Sequence, residues 1–149
     1  MTAARARERF AAARVARLAT AGADGRPHIV PIVFAVDGDT VYSAVDAKPK
    51  RTTALRRLDN VRANPAVSLL ADHYDENWET LWWARADGRG RVLGPDAAEA
   101  RRAVALLRER YPQQRAVGVV LAVDVERWSG WSAANHRTPP ARFASGESR

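Results

Sequence analysis

The chain has 149 residues, with 24 Lys plus Arg against 17 Asp plus Glu, a net charge of +7 and no cysteine. This length predicts a single domain over residues 1–149, and 46% hydrophobic with 28% charged residues excludes a disordered or fibrous chain. The missing cysteine excludes a disulfide framework, a thiolate zinc site, an iron–sulfur cluster and thiol catalysis.

Residues 3–14 read as a helix with Thr2 as its N-cap. Val15–Thr20 is short and apolar, and Ala23-Asp24-Gly25-Arg26 is a turn. His28–Val36 is an apolar, β-branched run, and Asp37-Gly38-Asp39 reverses the chain into Thr40–Ala44. The first fifty residues therefore predict a helix followed by a three-stranded meander. A basic loop, Asp46–Arg51, leads into a helix over 52–62, where Ala54, Leu58 and Val61 recur at helical spacing and Asn64-Pro65 stops it. Ala66–Ala71 is a strand, and Asp72–Thr80 is a polar acidic loop. Leu81–Leu93 reads as one long strand bent near Gly88 and Gly90, or as a hairpin turning at Asp87-Gly88.

Asp96 and Glu99 suit a capping-box start, and apolar residues at 97, 100, 104, 107 and 111 form one helical stripe that Pro112 ends. Val117, Val119, Leu121, Val123 and Val125 alternate as in a half-buried strand. The tail over 132–149 is polar, holds Pro139-Pro140 and reads as irregular. Strands and helices do not alternate regularly, which disfavours a doubly wound parallel sheet. The expected fold is mainly β: a small antiparallel barrel of about six strands flanked by about three helices.

Three groups of residues stand out for chemistry. Lys48-Pro49-Lys50-Arg51-Thr52-Thr53 puts cations and hydroxyls at a helix start, which suits phosphate as well as it suits a solvated loop. Pro31, inside an apolar strand, marks an edge, a bulge or a place where a flat ligand meets the backbone. Of five tryptophans, Trp82-Trp83 and Trp128-Ser129-Gly130-Trp131 form two groups. Neighbours on a strand face opposite ways, so one of Trp82 and Trp83 turns outward, toward an interface or a stacking surface. His28, His73 and His136 are far apart and show no metal-ligand spacing, so no metal is expected. No nucleophile elbow, phosphate-loop lysine or dinucleotide fingerprint is present, and no catalytic side chain is assigned. If the protein is an enzyme, a cofactor carries its chemistry.

The stretches Val15–Thr20 and Asp24–Pro31, then Arg57-Leu58-Asp59-Asn60-Val61 leading to Asn64-Pro65-Ala66-Val67-Ser68-Leu69, resemble the pyridoxamine-5′-phosphate-oxidase-like split-barrel flavoproteins. Asp46–Lys50, Asp72-His73-Tyr74, Leu81-Trp82-Trp83 and Trp128–Trp131 resemble the actinobacterial branch that uses the deazaflavin coenzyme F-420. The resemblance rests on the order of these motifs over roughly residues 10–135. It implies a six-stranded split barrel and a homodimer with the cofactor at the subunit interface. It also implies Val30, Pro31 and Ile32 beside the ring, and Ser43, Lys48, Lys50, Arg51, Thr52 and Arg57 around the phosphate. Trp82, Trp83 and Trp131 are the implied aromatic surface. The usual signature lysine is Arg57 here, so either Lys50 or Arg57 is the main phosphate contact.

What the resemblance implies is an oxidoreductase that passes a hydride between the reduced deazaflavin and a small organic acceptor. Flavin mononucleotide (FMN) on the same fold is one alternative, and a non-catalytic cofactor carrier is another. The composition and the lack of an apolar span lead us to expect a cytoplasmic protein without membrane contact. The basic residues are too scattered to favour nucleic-acid binding.

Overall fold

A computed structural model of the chain describes residues 1–46, 53–114 and 117–136. Helix α1 (Ala3–Ala12) begins at Thr2, whose hydroxyl accepts from the Arg5 N–H at 3.2 Å. Strands β1 (Ala16–Ala21) and β2 (Pro27–Ile32) follow, joined by a turn in which Gly25 takes a φ of 75°. Strands β3 (Ala35–Asp37) and β4 (Thr40–Asp46) form the second hairpin, with Gly38 at a φ of 60°. Then come α2 (Thr53–Ala63), β5 (Ala66–His73), β6 (Trp82–Leu93), α3 (Ala98–Arg110) and β7 (Val117–Ser132).

The strands form one antiparallel sheet of seven in the order β2-β1-β5-β6-β7-β4-β3. Two expectations are corrected here. The strand count is seven, because the run 28–36 breaks at Val33-Phe34 into β2 and β3. The sheet is also not closed, since β2 and β3 are its two edges. The predicted three-stranded meander is therefore two hairpins at opposite ends of the sheet. Two side chains hold the break: the Ser43 hydroxyl donates to the Val33 carbonyl (3.1 Å), and Arg110 donates to the Phe34 carbonyl (3.0 Å).

Inward side chains from strands near both ends, such as Ile32 and Val41, share one core with Phe10, Leu18, Leu69 and Leu121, so the sheet wraps around it. Phe10 of α1 plugs that core, its ring centroid 4.8 Å from that of Phe34 in a tilted contact and 5.4 Å from that of Trp128 in an edge-on one. Helix α3 covers the opposite face of β4 and β7, burying Ala100 and Ala103 against Tyr42, Val120 and Ala122.

The predicted capping box at the start of α3 is also corrected. Its N-cap is Ala97, without a side-chain cap. Glu99 instead receives Arg91 at 2.9 and 3.0 Å and the Tyr42 hydroxyl at 2.9 Å. A charged partner on the preceding strand β6 outcompetes the local backbone for that carboxylate.

Strand β6 runs unbroken past Asp87-Gly88, which resolves the alternative in favour of the long strand. Its pairing with β7 shifts register there, so the pair carries a bulge. Among the described residues, no helix is long and apolar enough to cross a membrane. The last residues described, Ala133–His136, form a short 3₁₀ turn, and the expected irregular tail lies otherwise outside the described residues.

Candidate functional site

Helix α2 lies under the β1–β2 hairpin. Leu58 and Val61 are its buried side, and one turn around the helix Asn60 donates to the Thr20 hydroxyl at 3.1 Å. Arg57 lies between these two faces. Its Nε is sealed from solvent and has no hydrogen-bond partner, and burial holds the guanidinium below its ordinary pKa. No carboxylate pairs with it among the described residues. A half-buried cation with no counter-charge among the described residues fits an anionic group such as a cofactor phosphate. Lys48, Lys50, Arg51 and Thr52 lie outside the described residues.

Strand β2 alternates cleanly. Pro31 and Ile29 face outward, Val30 packs against the core and Ile32 is buried in it. Their side chains therefore do not form one surface. What they share is the backbone of an edge strand paired on one side, by β1. That unpaired edge offers donors and acceptors to the polar rim of a flat ring. Ser43 is 5% exposed, and its hydroxyl proton goes to Val33, so it belongs to the wall between the hairpins.

The tryptophans divide as strand alternation requires. Trp82 turns inward against the core beneath Arg9, whose guanidinium sits 5.5 Å from its ring. Trp83 turns outward with Arg85 at 5.9 Å from its ring. Trp131 stands directly opposite Trp83 on β7 and shares its face.

The same outward face carries Ile29 and Pro31 on β2, Arg17 on β1 and Leu70 on β5, beyond the part over β4 and β7 that α3 covers. Two hollows mark it. One, about 560 Å³, lies over β1, β5, β6 and β7 beside Ser68, Asp87 and Arg127. The other, about 380 Å³, is lined by Leu70, Tyr74, Leu81 and Trp83 among others. Both are large enough for a cofactor ring or a small substrate.

Sequence reasoning placed the loop after β5 but not its aromatic pair. Tyr74 and Trp78, 62% and 66% exposed, meet edge to face at 5.9 Å. Asp75 holds the loop's shape, accepting from the Asn77 N–H at 2.7 Å and bonding His73 at 3.0 Å. An Asp two residues ahead of an Asn in a polar loop was the available signal. Among the described residues, no group of three metal-ligating side chains gathers.

A family profile described as pyridoxamine 5′-phosphate oxidase matches residues 2–132. Among solved structures, the chain is similar to a conserved hypothetical protein of Mycobacterium tuberculosis, with a TM-score of 0.72, 23% identity, and 93% of this chain and 89% of that one covered. It is similar to an FAD binding protein of Mycobacterium smegmatis, with a TM-score of 0.60, 25% identity, and coverage of 88% and 94%. It is also similar to a heme storage protein of Vibrio cholerae, with a TM-score of 0.67, 16% identity, and coverage of 89% and 95%. The likenesses under 25% identity establish a shared fold. No curated protein matches the chain.

Proposed function

The chain belongs to the pyridoxamine 5′-phosphate oxidase family, and on that premise we propose that it is a homodimeric, cytoplasmic oxidoreductase using the deazaflavin coenzyme F-420. The observation that carries this reading is Arg57, a half-buried guanidinium with no counter-charge among the described residues, on the helix that follows the basic loop. Lys48, Lys50, Arg51 and Thr52 of that loop complete the anion grip in this reading. The reduced deazaflavin supplies a hydride from its ring carbon to a small organic acceptor.

The chain's own residues bind, orient and exclude water. The free edge of β2 at Val30, Pro31 and Ile32 meets the rim of the ring, Arg57 holds the phosphate, and Ser43 fixes the wall behind it. Trp83 and Trp131 of the partner subunit close over the ring, and Trp82 packs into the core beneath Arg9. Deazaflavin is favoured over FMN by charge. The chain carries +7, and Arg26 and Arg56 stand beyond the phosphate grip, which suits a ligand with a phosphodiester and an acidic tail.

Titration of the purified protein with each coenzyme, followed by tryptophan fluorescence, tests the assignment. Deazaflavin quenches at the lower concentration, and its advantage shrinks as salt rises. Tighter quenching by FMN overturns the choice of coenzyme.

The likeness to an FAD binding and a heme storage protein supports a second reading, a non-catalytic carrier on the same fold. Tight deazaflavin binding without oxidation of the reduced coenzyme by a panel of quinone and nitroaromatic acceptors would favour it.

A further inference from the structure

A separate hollow opens beside α1, at one end of the wrapped sheet and on the inward side that Trp82 faces. It measures about 450 Å³, and Arg9, His73, Thr80, Trp82 and Ser132 help to line it. His73, Trp82 and Ser132 are direct cross-strand partners on β5, β6 and β7, so they form one row across the end of the sheet. The mouth of a curled sheet is a favoured place for a small ligand, and this volume holds a ring-sized one.

Arg9 is the charge in this hollow that has no counter-ion among the described residues. Its guanidinium sits 5.5 Å from the centre of the Trp82 ring, and its Nε is sealed from solvent with no hydrogen-bond partner. A cation over an aromatic ring is oriented without being neutralised. The unsatisfied donor costs free energy until an acceptor meets it. The neighbouring titratable groups are engaged: His73 bonds Asp75 at 3.0 Å, and Glu79, exposed at the rim, has a contact of its own. The rim is also held in place by the chain itself. Asp75 accepts from the Thr80 hydroxyl at 3.3 Å and from the Asn77 N–H at 2.7 Å, and the Ala133 N–H donates to the Leu81 carbonyl at 2.9 Å.

We propose that this hollow binds a small organic carboxylate, of the size of an aromatic acid, with Arg9 as its anchor. A guanidinium presents paired N–H donors in the geometry of a carboxylate, which a neutral amide does not match. Trp82 supplies the apolar wall against which the body of the ligand lies. The hollow is distinct from the coenzyme contacts assigned above. Strand β6 runs roughly 25 Å from Trp82 to Gly90, and it is at Gly90 that Val61, on the helix of Arg57, packs against it. The coenzyme reading gives Arg9 no role, and the carboxylate site stands without that reading.

The experiment uses the purified full chain without any coenzyme. Benzoate and benzamide, alike in shape and different in charge, are titrated in turn. The guanidinium ¹H–¹⁵N signal of Arg9 is followed, assigned through Arg9→Gln. The expected result is a saturable shift of that signal with benzoate and none with benzamide. By calorimetry, Arg9→Gln should lose benzoate affinity by about tenfold or more, as for a lost hydrogen bond to a charged group. Arg5→Gln, on the same helix but paired with Glu8, should keep it. Should Arg9→Gln not fold, the comparison of benzoate with benzamide on the wild type decides alone. An Arg9 signal that stays still with benzoate, equal responses to the two probes, or full benzoate affinity in folded Arg9→Gln overturns the proposal.

Discussion

Trp83 on β6 and Trp131 on β7 are direct cross-strand partners, and both stand on the outward face of the sheet, beyond the part over β4 and β7 that α3 covers. Ile29, 66% exposed, and Leu70, 37% exposed, extend the same face across β2 and β5. Contiguous apolar surface of this kind marks an association site. The wild-type protein should sediment as a dimer of the 16.4 kDa chain. Leu70→Asp puts a charge into the middle of that face and should yield a monomer at micromolar concentration with an unchanged far-ultraviolet dichroism spectrum. A wild-type monomer would remove the shared cofactor site.

Arg57 separates binding from stability. Burial penalises its charge in the unliganded protein, and no carboxylate among the described residues offsets that penalty. Arg57→Gln should therefore leave the melting temperature of the unliganded protein unchanged or raise it. The same substitution should weaken deazaflavin binding by roughly 2–5 kcal/mol, as for one partner of a buried charged pair. Calorimetry of both quantities checks the split. A lowered melting temperature with unaltered affinity would mean that Arg57 is structural.

The Arg91–Glu99 pair predicts a specific acid response. Two guanidinium contacts, with help from the Tyr42 hydroxyl, hold the Glu99 carboxyl at about 2, below its ordinary 4.5. A depressed carboxylate contributes stability that is present above about 4.5 and is lost as pH falls toward about 2. Asp124 is lowered by the same arginine and acts in the same direction. Solvent screening limits the contribution to about 1 kcal/mol, or roughly 2–4 °C in Tm. Glu99→Gln should melt lower by that amount at pH 7 and converge with the wild type near pH 2. Parallel curves across that window would show that Glu99 carries no linked proton.

Local patterns made most elements legible in the sequence. Thr2 capped α1, the Asp37-Gly38 turn formed the β3–β4 hairpin, and valine alternation marked β7. The order of strands was not legible, because the run 28–36 reads as one strand of a meander between 15–20 and 40–44. Instead, Arg110 and Ser43 satisfy the carbonyls of Phe34 and Val33 from 76 and 10 residues away, so the chain leaves the ladder there. Tyr111, which bonds the Arg14 carbonyl at 2.8 Å, closes the same corner. Such contacts depend on the finished packing of α3 and have no periodic signature. At the site, alternation correctly split Trp82 from Trp83.

Gly88 offers a test of the bulge. It sits where β6 and β7 shift register, and a Cβ built on it overlaps the Asp124 carbonyl and falls 2.9 Å from the Val125 Cα. Both obstacles are backbone and cannot rotate away, whereas what crowds a Cβ at Gly90 is mainly the Val61 side chain. Gly88→Ala must therefore push the two longest strands apart at the point where Asp124 also anchors Arg91. The expected cost is about 3 kcal/mol, the upper end for inserting one carbon into a packed region. Gly94→Ala, with open space around its Cβ, is the matched control and should stay close to the wild type. Urea denaturation of both variants measures the difference. Equal midpoints would show that the bulge relaxes freely and that glycine is not required there.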